Sequence, residues 1–161
     1  MAKHIISALV ANRPGVLAHV AGLFSARGFN IDSLAVGETE QPDLSRMTIV
    51  VDGDEAILEQ VRKQLGKVID IVKIQDYSAI PHVERDLALV RVHAPQERRS
   101  AILELVDIFR ARVVDVGRND LMIETSGAEE KIEAFLDLLR PFGIREMART
   151  GRIALARAPR D

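Results

Sequence analysis

Cysteine is absent from all 161 residues, which excludes disulfides, thiolate nucleophiles and cysteine-ligated zinc or iron–sulfur centres together. A reducing cytoplasm is the expected compartment. Aromatic residues make up only 4%, so the core must be built from Val, Ile, Leu and Ala. Positive charge is not in excess: 22 Lys and Arg face 24 Asp and Glu, a formal net charge of −2. Nucleic acid is therefore not an expected partner, because counterion-releasing contact needs a basic footprint. No window reaches the ~20 apolar residues of a membrane span, and the apolar stretch after Met1 is too short for a signal peptide. What is present, 47% hydrophobic and 29% charged residues, suits an ordinary soluble protein of one domain or two small ones.

The apolar period changes along the chain in a regular order. Residues 4–11 read as a buried strand, and in Asn12-Arg13-Pro14-Gly15 the proline suits a first helical turn that Asn12 can cap. Val16, Leu17, Val20, Leu23 and Phe24 then share one helical face, and Gly28 stands where a left-handed residue ends a helix. Residues 30–37 and 46–52 read as a hairpin around Gln41-Pro42-Asp43. Ile57, Leu58, Val61 and Leu65 mark a second helix, and residues 68–76 alternate as a fourth strand. The order β-α-β-β-α-β is that of a ferredoxin-like domain.

The second half repeats it. Residues 77–85, with Ser78, Pro81 and His82, break both periods and read as a linker before a strand over 86–94. A helix over 96–110, strands over 112–116 and 121–125 around Gly117-Arg118-Asn119-Asp120, and a helix ending near Leu139 follow. Ser126-Gly127-Ala128-Glu129 matches a capping box for that last helix. Residues 144–156 supply the final strand, with a break allowed at 148–151, and the final stretch of the chain is arginine-rich, with Arg145, Arg149, Arg152, Arg157 and Arg160. The expectation is an α+β chain of two tandem ferredoxin-like (βαββαβ) domains, 1–78 and 79–161.

Catalytic chemistry finds little support. The four histidines, His4, His19, His82 and His93, form no triad with a glycine-framed serine, and there is neither a phosphate-binding loop nor a dinucleotide fingerprint. His82 and Glu84 have a spacing that can hold a metal, but two isolated ligands in a polar connection are ordinarily solvated. No catalytic and no metal-binding residues are expected.

The turn at 12–15 is the most informative place. A helix N-terminus offers unpaired N–H donors and a positive dipole to an anion, Gly15 permits close approach, and Val16 and Leu17 add apolar surface. Those features suit the carboxylate of an aliphatic amino acid. On local physics alone, Asn12 is equally a plain helix cap and Gly15 a first-turn residue. Asn30-Ile31-Asp32-Ser33-Leu34 opens the second strand. If that strand lies at a sheet edge, it can pair with its copy in a second chain, placing a ligand between subunits.

Three segments carry a family resemblance: Asn12-Arg13-Pro14-Gly15-Val16-Leu17, Gly22-Leu23-Phe24-Ser25-Ala26-Arg27-Gly28-Phe29-Asn30-Ile31-Asp32-Ser33-Leu34, and Leu44-Ser45-Arg46-Met47-Thr48-Ile49. They resemble the small regulatory subunit of acetolactate synthase (acetohydroxyacid synthase), and the likeness continues through Val83-Glu84-Arg85-Asp86-Leu87. The resemblance implies that the first domain is an ACT domain, effector-binding and dimerising, and that the second is the family's C-terminal ferredoxin-like domain. It further implies a homodimer through the ACT domains and partnership with a large catalytic subunit carrying thiamine diphosphate, Mg²⁺ and FAD, with no cofactor in this chain. The family's small subunit activates that enzyme and confers feedback inhibition by valine. Carried over residue by residue, Asn12 and Gly15 match the positions meeting the effector's carboxylate end, Val16 and Leu17 the apolar turn, and Asn30 and Ile31 the closing strand. Arg13-Pro14, His19 and Phe29 depart from the commoner pattern, which has a more acidic or small pair, Arg and Tyr there. One methylene discriminates by only about 1–3 kcal/mol, so valine, isoleucine and leucine all stay open. The alternative is a free-standing ACT-type amino-acid sensor regulating a different protein.

Overall fold

The computed structural model describes residues 3–160. Its contacts divide them into two units, one holding the residues up to Val83 and those from Arg152 onward, the other Glu84–Gly151. The first unit contains β1 (Lys3–Ala11), α1 (Val16–Ala26), β2 (Ile31–Glu38), β3 (Leu44–Asp52), α2 (Glu55–Leu65) and β4 (Ile71–Asp76). Its antiparallel sheet has the order β2-β3-β1-β4, with β2 outermost. Alternation explains its core: Ile6, Ala8 and Val10 of β1 and Met47, Ile49 and Val51 of β3 meet Val16, Val20 and Phe24 of α1 and Leu58, Val61 and Leu65 of α2. The sheet is thus covered by two helices on one face. Asp54 caps α2 by accepting from the Ile57 amide at 3.0 Å.

The second unit repeats the plan with β5 (His82–His93), α3 (Gln96–Ile108), β6 (Arg112–Val116), β7 (Asp120–Gly127), α4 (Glu129–Leu139) and β8 (Ile144–Arg149). The order is β6-β7-β5-β8. Ala88, Val90 and Val92, with Leu121 and Ile123, meet Ile102 and Val106 of α3 and Ile132, Phe135, Leu136 and Leu139 of α4. The last strand, β9 (Ile153–Ala156), pairs with β5, whose first residues His82 and Val83 still belong to the first unit. The two βαββαβ-like units make this an α+β fold.

Several local expectations differ from the structure. Residues 77–85 are not a polar linker. The Tyr77 amide donates to the Ile5 carbonyl at 2.9 Å, the Ser78 hydroxyl accepts from the Ile5 amide at 3.0 Å, and β5 has begun by His82. Tyr77 is 2% exposed, in a cluster with Ile5, Val50 and Ala154 on the face of the first sheet away from the helices. That cluster is why the residues after Arg152 group with the first unit, whereas the sequence placed 79–161 together. The capping box does not form, because Ser126 and Gly127 remain paired in β7 with Leu87 and Asp86, leaving Ala128 as an N-cap with no side-chain bond. Asn12 does not cap α1 either. Gly15 holds that position in the left-handed region (φ 87°), and Pro14 precedes the helix. No helix among the described residues is long and apolar enough to cross a membrane.

Candidate functional site

The turn between β1 and α1 is held from three sides. The Asn12 amide donates to the Asp43 carbonyl and the Ala11 amide to that of Asp70, each at 2.8 Å, while the Arg13 guanidinium is ion-paired with Asp70. Asn12 Nδ2 donates to the Pro42 carbonyl at 3.1 Å and to Glu38 Oε1 at 3.3 Å. These bonds fix the turn against the hairpin that joins β2 to β3. They leave the first turn of α1 bare, with neither a side-chain cap nor an acidic residue to offset the positive end of the helix. A β-carbon built on Gly15 meets nothing within 4 Å, so space for a small anion stands open beside the amides.

Four of the six residues singled out from the sequence come together here. Asn12, Gly15 and Leu17 are exposed, Leu17 by 46%. Val16 is 4% exposed and packs in the core, so what it can offer a ligand is its amide. Asn30 and Ile31 lie elsewhere. Ile31 is opposite Val51 at one end of β2, and Glu38, which touches Asn12, is opposite Ser45 at the other. Seven residue steps along the strand separate them, roughly 23 Å at ~3.3 Å per residue. Within one chain these two groups of residues do not meet. β2, like β4, is an edge strand of its sheet, and it carries an irregularity between Ile31 and Ser33.

Outside this site His4, His82 and His93 are engaged by neighbouring groups of the fold. His82 Nδ1 donates to the Ile80 carbonyl at 2.9 Å, and its ring stacks on Tyr77 with centroids 6.0 Å apart. His4 is buried, with Nε2 donating to the Gly53 carbonyl at 3.1 Å. His93 Nδ1 accepts from Arg145 at 2.8 Å. Among the described residues no three or more His, Cys, Asp or Glu side chains gather in a metal-holding group. Of the arginine-rich end, Arg149 lies on β8 of the second unit, bonded to Asp86 and Glu133. Burial works against its charge, but the bonds to Glu133 and then Asp86 outweigh that and raise its pKa.

Comparison with known proteins agrees with this architecture. Residues 6–73 match the family described as "AHAS small subunit-like ACT domain", and residues 85–158 the family described as "Small subunit of acetolactate synthase". The chain is 58% identical over 155 residues to a "Probable acetolactate synthase small subunit" of Archaeoglobus fulgidus, covering 96% of this chain and 97% of that one. It is 52% identical to the acetolactate synthase small subunit of Mycolicibacterium smegmatis, covering 98% and 94%. Among solved structures, the acetolactate synthase small subunit of Thermotoga maritima superposes with a TM-score of 0.91 at 44% identity, over 99% of both chains.

Proposed function

The chain belongs to the acetolactate synthase small-subunit family, and from that premise we propose that it activates a large catalytic subunit and reduces that activity when a branched-chain amino acid binds between two copies of its ACT domain. The observation that carries the reading is the division of the site. A bare helix N-terminus beside Asn12 and Gly15 lies at one end of the outer strand, and Asn30 and Ile31 lie at the other. Antiparallel pairing of β2 with its copy about a two-fold axis brings the Ile31 end of each chain toward the Glu38 end of its partner. A carboxylate is then held by the α1 amides of one chain and an aliphatic side chain by Leu17 and the other chain's strand. Effector binding and dimer geometry become linked, and the difference in affinity between two interface geometries is what switches the enzyme.

In this reading acetolactate chemistry resides in the large subunit with thiamine diphosphate, Mg²⁺ and FAD, and the complex works in the cytoplasm. This chain supplies no reacting group. The test is direct: purified chain is added to a catalytic subunit, and acetolactate formation is measured with and without valine, isoleucine and leucine. Stimulation, reversed by at least one of them, is expected. Effector binding without stimulation favours a free-standing sensor of a different protein, and the absence of both ends the proposal.

A further inference from the structure

The first sheet presents two uncompensated cations on the face away from its helices. Strand register sets Gly37, Arg46, Leu9 and Lys73 in one row across β2, β3, β1 and β4. The neighbours Ala8 and Met47 face the helices, so alternation turns this row to the other face. Arg46 is half-buried, its Nη1 donating to the Ser7 hydroxyl at 2.6 Å and reaching the Tyr77 hydroxyl at 3.4 Å. Both partners are neutral. They fix the guanidinium in place without offsetting its charge. Lys73 is exposed, and among the described residues neither cation is paired with a carboxylate. The next row, Ala35, Thr48, Ser7 and Gln75, holds no acid either. One row further, Ile5 and Val50 are closed over by Tyr77 and Ala154. The open part of the face is therefore a half-buried Leu9 between two cations that stand about 9–10 Å apart, two strand spacings.

Ordering an arginine on a partly desolvated face without a counter-charge is unfavourable in the isolated chain and becomes favourable when a carboxylate arrives. We propose that this row docks the catalytic subunit, through an acidic patch that offers one carboxylate to Arg46, a second to Lys73, and an aliphatic side chain to Leu9. The inference rests on reading the chain as an activating subunit. A second copy is a poor occupant, since it presents the same two cations to themselves.

The experiment measures the chain concentration giving half-maximal stimulation of the catalytic subunit, at low and at high salt. Variants Arg46→Gln, Lys73→Gln, their double and Arg46→Lys are compared with Lys67→Gln, an exposed position outside the row. Expected increases are about 10-fold for Arg46→Gln and about 3-fold for Lys73→Gln, with the double near their product and Arg46→Lys in between. Lys67→Gln stays at the wild-type value, and the double loses most of the salt dependence. Thermal unfolding and the valine-induced thermal shift are expected unchanged. Wild-type stimulation with unaltered half-maximal concentrations in the variants overturns the docking row alone. No stimulation by the wild type overturns the activating role together with it. Loss of the valine shift in Arg46→Gln assigns the carboxylate to the effector and also overturns the docking assignment.

Discussion

Arg149 closes on Asp86 across the β5–β8 pair, with Nε 3.0 Å and Nη2 2.5 Å from the same carboxylate oxygen. Asp86 is 3% exposed, and Thr150 Oγ1 reaches its other oxygen at 3.3 Å. Glu133 on α4 takes the remaining arm of the guanidinium at 2.5 Å. An arginine that reads in sequence as part of a basic tail thus ties two strands and a helix of the second unit together.

Removing Arg149 leaves the Asp86 charge buried. Arg149→Met is expected to destabilise the chain by roughly 3 kcal/mol, and the double variant Arg149→Met with Asp86→Leu to recover much of that. Denaturant unfolding checks both. If the single change costs under about 0.5 kcal/mol, the network is a surface ornament. Where the single change costs the expected amount, about 3 kcal/mol, loss of activation in Arg149→Met follows from the fold, not from a lost contact with another protein.

Gly15→Asp is expected to abolish the valine response while leaving stimulation of the catalytic subunit in place. The position has φ 87° and open space in front of it, so the new carboxylate occupies the anion's place beside the α1 amides. Gly15→Ala carries the left-handed strain, about 1–2 kcal/mol, without the charge. Acetolactate formation with and without valine separates the two, and a Gly15→Asp chain as valine-sensitive as the parent moves the site elsewhere.

The proposed pairing through β2 is sensitive to charge on its exposed surface. Val36, 46% exposed on that outer strand, changed to Lys is expected to shift sedimentation toward the monomer, since edge lysines oppose strand-to-strand association. The valine-induced thermal shift falls in parallel when both chains build the site. A monomeric variant that keeps the full shift shows that one chain suffices.

Tyr77→Ala is expected to cost roughly 3–5 kcal/mol, the range for truncating a fully buried aromatic. Removing residues 152–161 lowers the stability of the first unit as well, because Ala154 leaves Ile5, Val50 and Tyr77. A first unit that unfolds at an unchanged temperature in calorimetry of the truncated chain contradicts this.

Much of the fold was legible in one dimension. The period-two runs in β1 and β3 and the 3.6-period stripes of α1, α2 and α4 identify which residues face the core, because alternation and helical pitch are properties of the local backbone. One left-handed glycine was legible for the same reason, Gly28 at φ 69° ending α1. Cap positions were not. Whether Ser126 caps a helix depends on how far β7 stays paired with β5, and Asn12 is drawn to Pro42 and Glu38, 30 and 26 residues away.

The residues by themselves determined two βαββαβ patterns, the apolar faces of their elements and the glycine that ends the first helix, all consequences of short-range geometry. Tertiary structure alone decided that Tyr77 is core, that Arg149 is a tie, and that Asn30 stands at the far end of the strand from Asn12. Each depends on which distant segment comes alongside in the sheet, and strand register, set by long-range hydrogen bonding, is not written in any local period.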